Sequence, residues 1–354
     1  MKINSYDDWK EVASKTVHDE DIILNTDIHL SKNEMISSFK GNLKGNGYTI
    51  YSNGNINGLI NVNYGNIEDV NFSGFENGGI IQKNRGTIKN CSVESEISST
   101  KWTRVGFLNI INYGKIIGCT VRSSINTSND VGGICYENNG LVENSCFNGF
   151  IKSEKICGGI ACINKEKIVN CSVTGYLYGC ESAKIGGIAG LNEKNTEIEN
   201  CEFNGSIKSE NTCGGICAKN KGKIKKCQSS GLIMKSWVCG GICGLNDKGT
   251  IELGRSKSYL QAKIVGGISG TNQALMNKAD IRDCYFDGKI CGDKVEGNLI
   301  GRHISNSSIK RSYRSCNFNL SKGIGGCDEK AKVEDIDEID EDDSPKHKMI
   351  AKKI

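Results

Sequence analysis

Gly186-Gly187-Ile188-Ala189-Gly190-Leu191-Asn192 is followed, 28 residues on, by Gly214-Gly215-Ile216-Cys217-Ala218-Lys219-Asn220. The same phrase, two glycines, an aliphatic residue and an asparagine four places later, runs through the chain. It reads Gly132-Gly133-Ile134…Asn138, Gly158-Gly159-Ile160…Asn164, Gly240-Gly241-Ile242…Asn246 and Gly266-Gly267-Ile268…Asn272, at intervals of 26 to 28 residues. Looser copies sit upstream at Leu59…Asn63, Ile80…Asn84 and Leu108…Asn112. A fixed period of this size denotes stacked copies of one small supersecondary unit, none able to bury a core alone.

The residues around the phrase decide which unit it is. A turn glycine is followed two places on by an aliphatic, as in Gly86/Ile88, Gly114/Ile116, Gly222/Ile224 and Gly249/Ile251. Three residues later a cysteine recurs: Cys91, Cys119, Cys171, Cys201, Cys227 and Cys284. Alternate residues beyond it stay apolar or small, as in Cys171, Val173, Gly175 and Leu177. Period-two alternation marks strands with one buried face. The expected architecture is therefore all-β: a single-chain parallel β-helix of about ten coils, roughly 45 Å long at the usual strand spacing. Residues 1–55 are expected to cap it, 56–327 to form the coils, and 328–354 to be an acidic, disordered tail. Within the cap, Ser5-x-x-Asp8 ahead of Trp9, Val12 and Ala13 reads as a capped helical turn, and Ile22–Leu24 and Ile28–Leu30 read as strands.

Composition agrees. There are 44 glycines and one proline in 354 residues, too many helix breakers at regular intervals for a helical protein. The formal charge of +4 is unevenly placed: residues 328–343 hold ten acidic and two basic side chains and 344–354 add four lysines, a tail of −4 against a body of +8. That body charge suits a soluble surface more than a dedicated nucleic-acid binder. No apolar run is long enough to span a membrane, and the first residues lack the apolar core of a secretory signal. A cytoplasmic location is expected, with the cell surface as the alternative if a leader precedes this sequence.

Eighteen cysteines could denote a secreted disulfide scaffold. Their columns argue otherwise. Cys157, Cys213 and Cys239 alternate with Val131, Ile185 and Val265, and Cys135, Cys217 and Cys243 with Ala161 and Ala189, so these are small apolar core positions. The sharper reading is zinc, since Cys213, Cys217, Cys239 and Cys243 lie in consecutive coils; residues four apart on a straight strand are about 13 Å apart, so only a sharp bend would gather them. The asparagine column is read as a structural ladder of stacked amides, with a polar binding groove as its alternative.

Three units, Gly187-Ile188-Ala189-Gly190, Gly241-Ile242-Cys243-Gly244 and Gly267-Ile268-Ser269-Gly270, each with Asn two places on, resemble the GLUG motif. Trp9, Leu24-x-x-Asp27-Ile28-x-Leu30 and Phe39-x-Gly41-x-Leu43-x-Gly45-x-Gly47 resemble the lead-in that often precedes such repeats. GLUG repeats occur in bacterial surface and secreted proteins, including the non-catalytic regions of immunoglobulin-A-specific metallopeptidases. The resemblance implies a β-helical stalk or binding module without an activity. No His-Glu-x-x-His protease motif occurs, and His18, His29, His303 and His347 are scattered.

The functional expectation is a non-catalytic binding or scaffolding rod without cofactor, its partner another protein or a surface polymer. A carbohydrate-active enzyme is the second class, with Glu143, Glu197, Glu199 and Asp283 as carboxylate candidates. Polyanion binding is the third: Arg85, Lys115, Lys165, Lys167, Lys221, Lys223, Lys225 and Lys248 would align along one edge, although no aromatic residues interleave for base stacking.

Overall fold

In the computed structural model the chain winds as a succession of short strands, each coil laid parallel on the one before. The structure describes residues 1–31, 34–53, 56, 58–97, 104–274, 279–304, 307–315, 324–327 and 332–339, with side chains as far as Tyr313. All pairings between successive coils are parallel, and one sheet contains thirteen strands, from Val17–His18 to Ile324–Cys327. The regular coils number about ten, as the repeat count requires. The same sheets run on from Lys2–Ile3 to Lys332–Ile339.

Stacked columns of inward side chains on each face build the core. Along the first face Ile22, Leu43, Ile67, Ile88 and Ile116 lie in register, followed by Val142, Ile168, Ile198, Ile224, Ile251 and Ile281, all essentially without exposure. The second face stacks Ile28, Ile50, Phe72, Val93, Val121, Phe147, Val173 and Phe203. The third carries the asparagines. A parallel sheet demands that each coil repeat the residue above it, which is why the periodicity is so plain in the sequence.

Two corners fix the period. The glycine pair sits where the chain passes close beneath its neighbour: a Cβ on Gly186 would meet the Ala189 carbonyl oxygen at 1.8 Å, and one on Gly187 the Gly215 carbonyl oxygen at 2.0 Å. No larger residue fits. The other corner, between the first and second faces, uses left-handed backbone at Asp69, Asn90, Asn144, Asn170, Asn200 and Asp283, with φ between 51° and 55°. Asparagine and aspartate tolerate that region better than other non-glycine residues. This second asparagine column went unread in the sequence, although an Asn or Asp immediately before Cys91, Cys171, Cys201 and Cys284 was its signal.

At the N-terminus, helix α1 (Tyr6–Ser14) closes the rod. Ser5 caps it by accepting the Asp8 N–H at 3.2 Å, and Trp9 and Val12 are buried against the first coil. The strands Ile22–Leu24 and Ile28–Leu30 form where expected, but as a full coil joined to the sheets and not as a separate lid. At the other end, Lys332–Ile339 is a strand paired with Ser307–Ser315, within the segment whose composition suggested a disordered tail. The register sets Val333 beside Ile309. Residues 275–278 and 340–354 lie outside the described residues.

Candidate functional site

The asparagine column is internal. Each Nδ2 donates to the Oδ1 of the next coil at 2.8 Å, linking Asn63, Asn84, Asn112, Asn138, Asn164, Asn192, Asn220, Asn246 and Asn272 without a gap. All nine are at most 1 % exposed. The spare donor goes to a turn carbonyl, as from Asn246 to Gly249 at 3.0 Å, and Oδ1 receives a turn N–H, as from Gly222 to Asn220 at 3.2 Å. An amide offers both donors and acceptors, so identical side chains satisfy each other along the stack. Nothing of the column reaches solvent, and the binding-groove alternative is overturned. Downstream the ladder ends on His303, whose Nδ1 faces Asn272 Nδ2 at 3.3 Å; upstream the position belongs to Phe39 and His18, whose rings stack at 5.9 Å.

The sixteen cysteines with described side chains are all free thiols, and thirteen are buried. Cys213 pairs with Cys239 and Cys217 with Cys243 in adjacent coils, but the four sulfurs do not gather: among the described residues no group of cysteine, histidine and carboxylate side chains has metal-binding geometry. The two cysteine positions lie on different faces across the Gly214-Gly215 corner. The first cysteine column has a polar duty that its apolar reading missed. Cys171 N–H donates to Cys201 Sγ at 3.4 Å and Cys201 N–H to Cys227 Sγ at 3.5 Å; where serine replaces cysteine, Cys119 N–H donates to Ser145 Oγ and Cys284 N–H to Ser312 Oγ. The column thus accepts the N–H that the left-handed corner leaves unpaired.

The lysine edge forms, but interleaved with carboxylates. Lys167 lies 3.4 Å from Glu197 and 3.6 Å from Glu199; Lys223 bridges Glu197 and Glu252; Lys225 reaches Glu199 at 3.8 Å. Lys165 pairs with Glu137 and Lys221 with Glu193, each at 2.9 Å. Arg85 lies over the Tyr113 ring at 4.8 Å, while Lys115 and Lys248 are exposed. Burial raises the Glu252 carboxyl, but a hydrogen bond from Arg282 and the charges of Arg282, Lys223 and Lys225 outweigh it and hold it below its ordinary value. The enzyme candidates Glu197 and Glu199 are spent in this network and Asp283 in a pair with Arg311 at 2.7 Å, while Glu143 is half-buried on Leu141–Glu143. Partly exposed pairs of this kind are worth roughly 0.2–1 kcal/mol each. Their main effect is to reduce the free positive charge along the edge, leaving Lys115 and Lys248 outside the ion pairs of the described residues.

Clefts open on the outer surface of the described residues, two of them relevant to binding. One, of about 530 Å³, opens beside the longer turn at Lys194–Thr196 and is lined by Lys194, Lys221, Lys223, Lys248 and Glu197. The other, of about 420 Å³, lies on the second face among Ser73, Glu94, Glu96, Arg122, Ser124 and Phe150. The residues of the second cleft carry no repeat signature, so sequence reading passed over them.

No family model and no curated protein matches the chain. Among solved structures, it is similar to the crystal structure of a protein described as a putative immunoglobulin A1 protease from Bacteroides ovatus. The two share 16% identity with a TM-score of 0.36, covering 94% of this chain and 81% of that one. A likeness at that level carries no argument about activity.

Proposed function

We propose that the chain is a non-catalytic β-solenoid module that binds or scaffolds a partner, a protein or a surface polymer, through its outer faces. The observation that carries this reading is the fate of the repeated polar residues. The asparagines are consumed inside the rod and the carboxylates beside the lysine edge, Glu137, Glu193, Glu197, Glu199 and Glu252, are held in ion pairs, so these repeated polar groups serve construction. The unit Gly187-Ile188-Ala189-Gly190 with Asn192 supports a GLUG-like repeat as its family reading. A reducing compartment accords with buried, unpaired thiols.

The test is an assay for new reducing ends across polysaccharides, with the full chain at high concentration. No release is expected. Cleavage that disappears when one carboxylate is changed, at unaltered thermal stability, would replace the binding rod with an enzyme.

A further inference from the structure

We infer that the cleft at Phe150 is a binding subsite for one pyranose ring of an uncharged oligosaccharide, an inference that rests on the binding-rod reading. Its position follows from the register. Glu96, Ser124, Phe150 and Tyr176 occupy the same outward place in four successive coils. Tyr176 covers one face of the Phe150 ring, with centroids 5.7 Å apart and planes within 7°. The other face looks toward Ser124, whose side chain is too short to cover it. The next large group is Glu96, two coils away, or about 9.6 Å at a strand spacing of 4.8 Å.

The slot therefore has an aromatic wall, a serine floor and a carboxylate opposite. A saturated ring resting about 4 Å from the phenyl carbons makes full dispersion contact on its C–H face. Its far face then lies within hydrogen-bond reach of Glu96. Arg122 and Glu94 are neighbours in register on the adjoining outward position, with Ser73 beside Glu94. Together they supply donors and acceptors around the rim, which hydroxyl groups match and an apolar ligand would leave desolvated. Among the described residues Glu94, Glu96 and Arg122 have no ion pair, in contrast to the carboxylates of the lysine edge. The volume falls within the range of small-molecule clefts, about 300–1,000 Å³.

Charge selects the ligand class. Two carboxylates against one guanidinium leave the cleft net negative, which repels the phosphates that accompany a nucleobase and the sulfates or uronates of an acidic glycan. The slot arises where the second face changes shape. Thr120–Thr127 is one straight strand, whereas the next coil is broken at Gly149 into Cys146–Phe147 and Phe150–Ser153. A Cβ on Gly149 would meet the Ser123 carbonyl oxygen at 1.9 Å, so the break needs glycine.

The experiment is calorimetric titration of the full chain with cellohexaose, maltohexaose, xylohexaose and chitohexaose, and with a heparin hexasaccharide as the acidic control. Saturable binding of at least one neutral hexasaccharide is expected. Phe150→Ala should weaken it about tenfold or more. Ser124→Tyr, whose ring would lie on the open face of Phe150 and fill the slot, should abolish it. Glu96→Gln, a surface change that spares the fold, should weaken it by a smaller factor. Tyr259→Ala, an exposed ring four coils along the same column, should leave it unchanged. Binding of heparin alone, of no hexasaccharide, or binding indifferent to Phe150→Ala and Ser124→Tyr would overturn the proposal and leave the binding-rod reading standing. Cleavage of a bound hexasaccharide would instead sink that reading.

Discussion

Asn220 shows how one residue type can hold a rod together. It donates to Asn246, accepts from the Gly222 N–H and receives the Asn192 amide, all in a site closed to water. Leucine in its place would leave donors and acceptors on both neighbouring coils unpaired, each costing about 1–3 kcal/mol. Equilibrium denaturation of Asn220→Leu should register that loss, and an unchanged midpoint would mean that the ladder contributes nothing to stability. Lys226 is the opposite case. It occupies the left-handed corner at φ 52°, exposed, directly after Lys225 in a column where Asn200 donates to Asn170 at 2.7 Å. Lys226→Asn should raise stability by about 0.5–1 kcal/mol, because asparagine enters that backbone region more readily than lysine. A lower melting temperature for this variant would contradict the strain assigned to the corner.

At the scale of the element, the cysteine columns behave as buried acids kept neutral. Burial pushes the thiols of Cys243 and Cys284 up to about 12 and raises those of Cys157 and Cys239 as well. Unfolded thiols ionise near 9, so the native state holds protons that the unfolded state has lost. Stability is then intact below pH 9 and falls as pH rises from there toward 12, by up to about 1.4 kcal/mol per pH unit for each such thiol. Denaturation midpoints measured from pH 7.5 to pH 10.5 should drop in that window, and Cys243→Ala should shallow the slope. A midpoint that stays flat across it would place the thiols in contact with solvent. With a thiol reagent at pH 8, Cys291, which is exposed, should react first, and the thirteen buried thiols only after unfolding. Sequence alone marked these columns as small and apolar. It did not reveal the hydrogen bond to Cys201 Sγ, because that depends on which corner N–H the coil above leaves free.

For the molecule as a whole, the ends decide solubility. Helix α1 and the Val17–His18 strand cover one open sheet edge, and an uncovered parallel edge is a template for association. Removing residues 1–18 should therefore produce aggregates in size-exclusion chromatography, while the intact chain elutes as a discrete species. At the far end Lys332–Ile339 shields Ser307–Ser315, so a chain cut after Cys327 should also associate, although composition had marked that segment as dispensable. Equal elution of the two forms would show that the last strand protects nothing. The sequence determined the coil, its period, its parallel strands and the inward asparagine and cysteine columns, since a solenoid contacts only its neighbouring copies and each contact is written once per repeat. It also gave the helix and strands of the cap. Only the tertiary structure decided that five members of the lysine edge pair with carboxylates and that Glu94, Glu96, Arg122 and Phe150 share a cleft. Those residues lie on different coils and follow no period, so stacking brings them together and no local pattern in the sequence announces it.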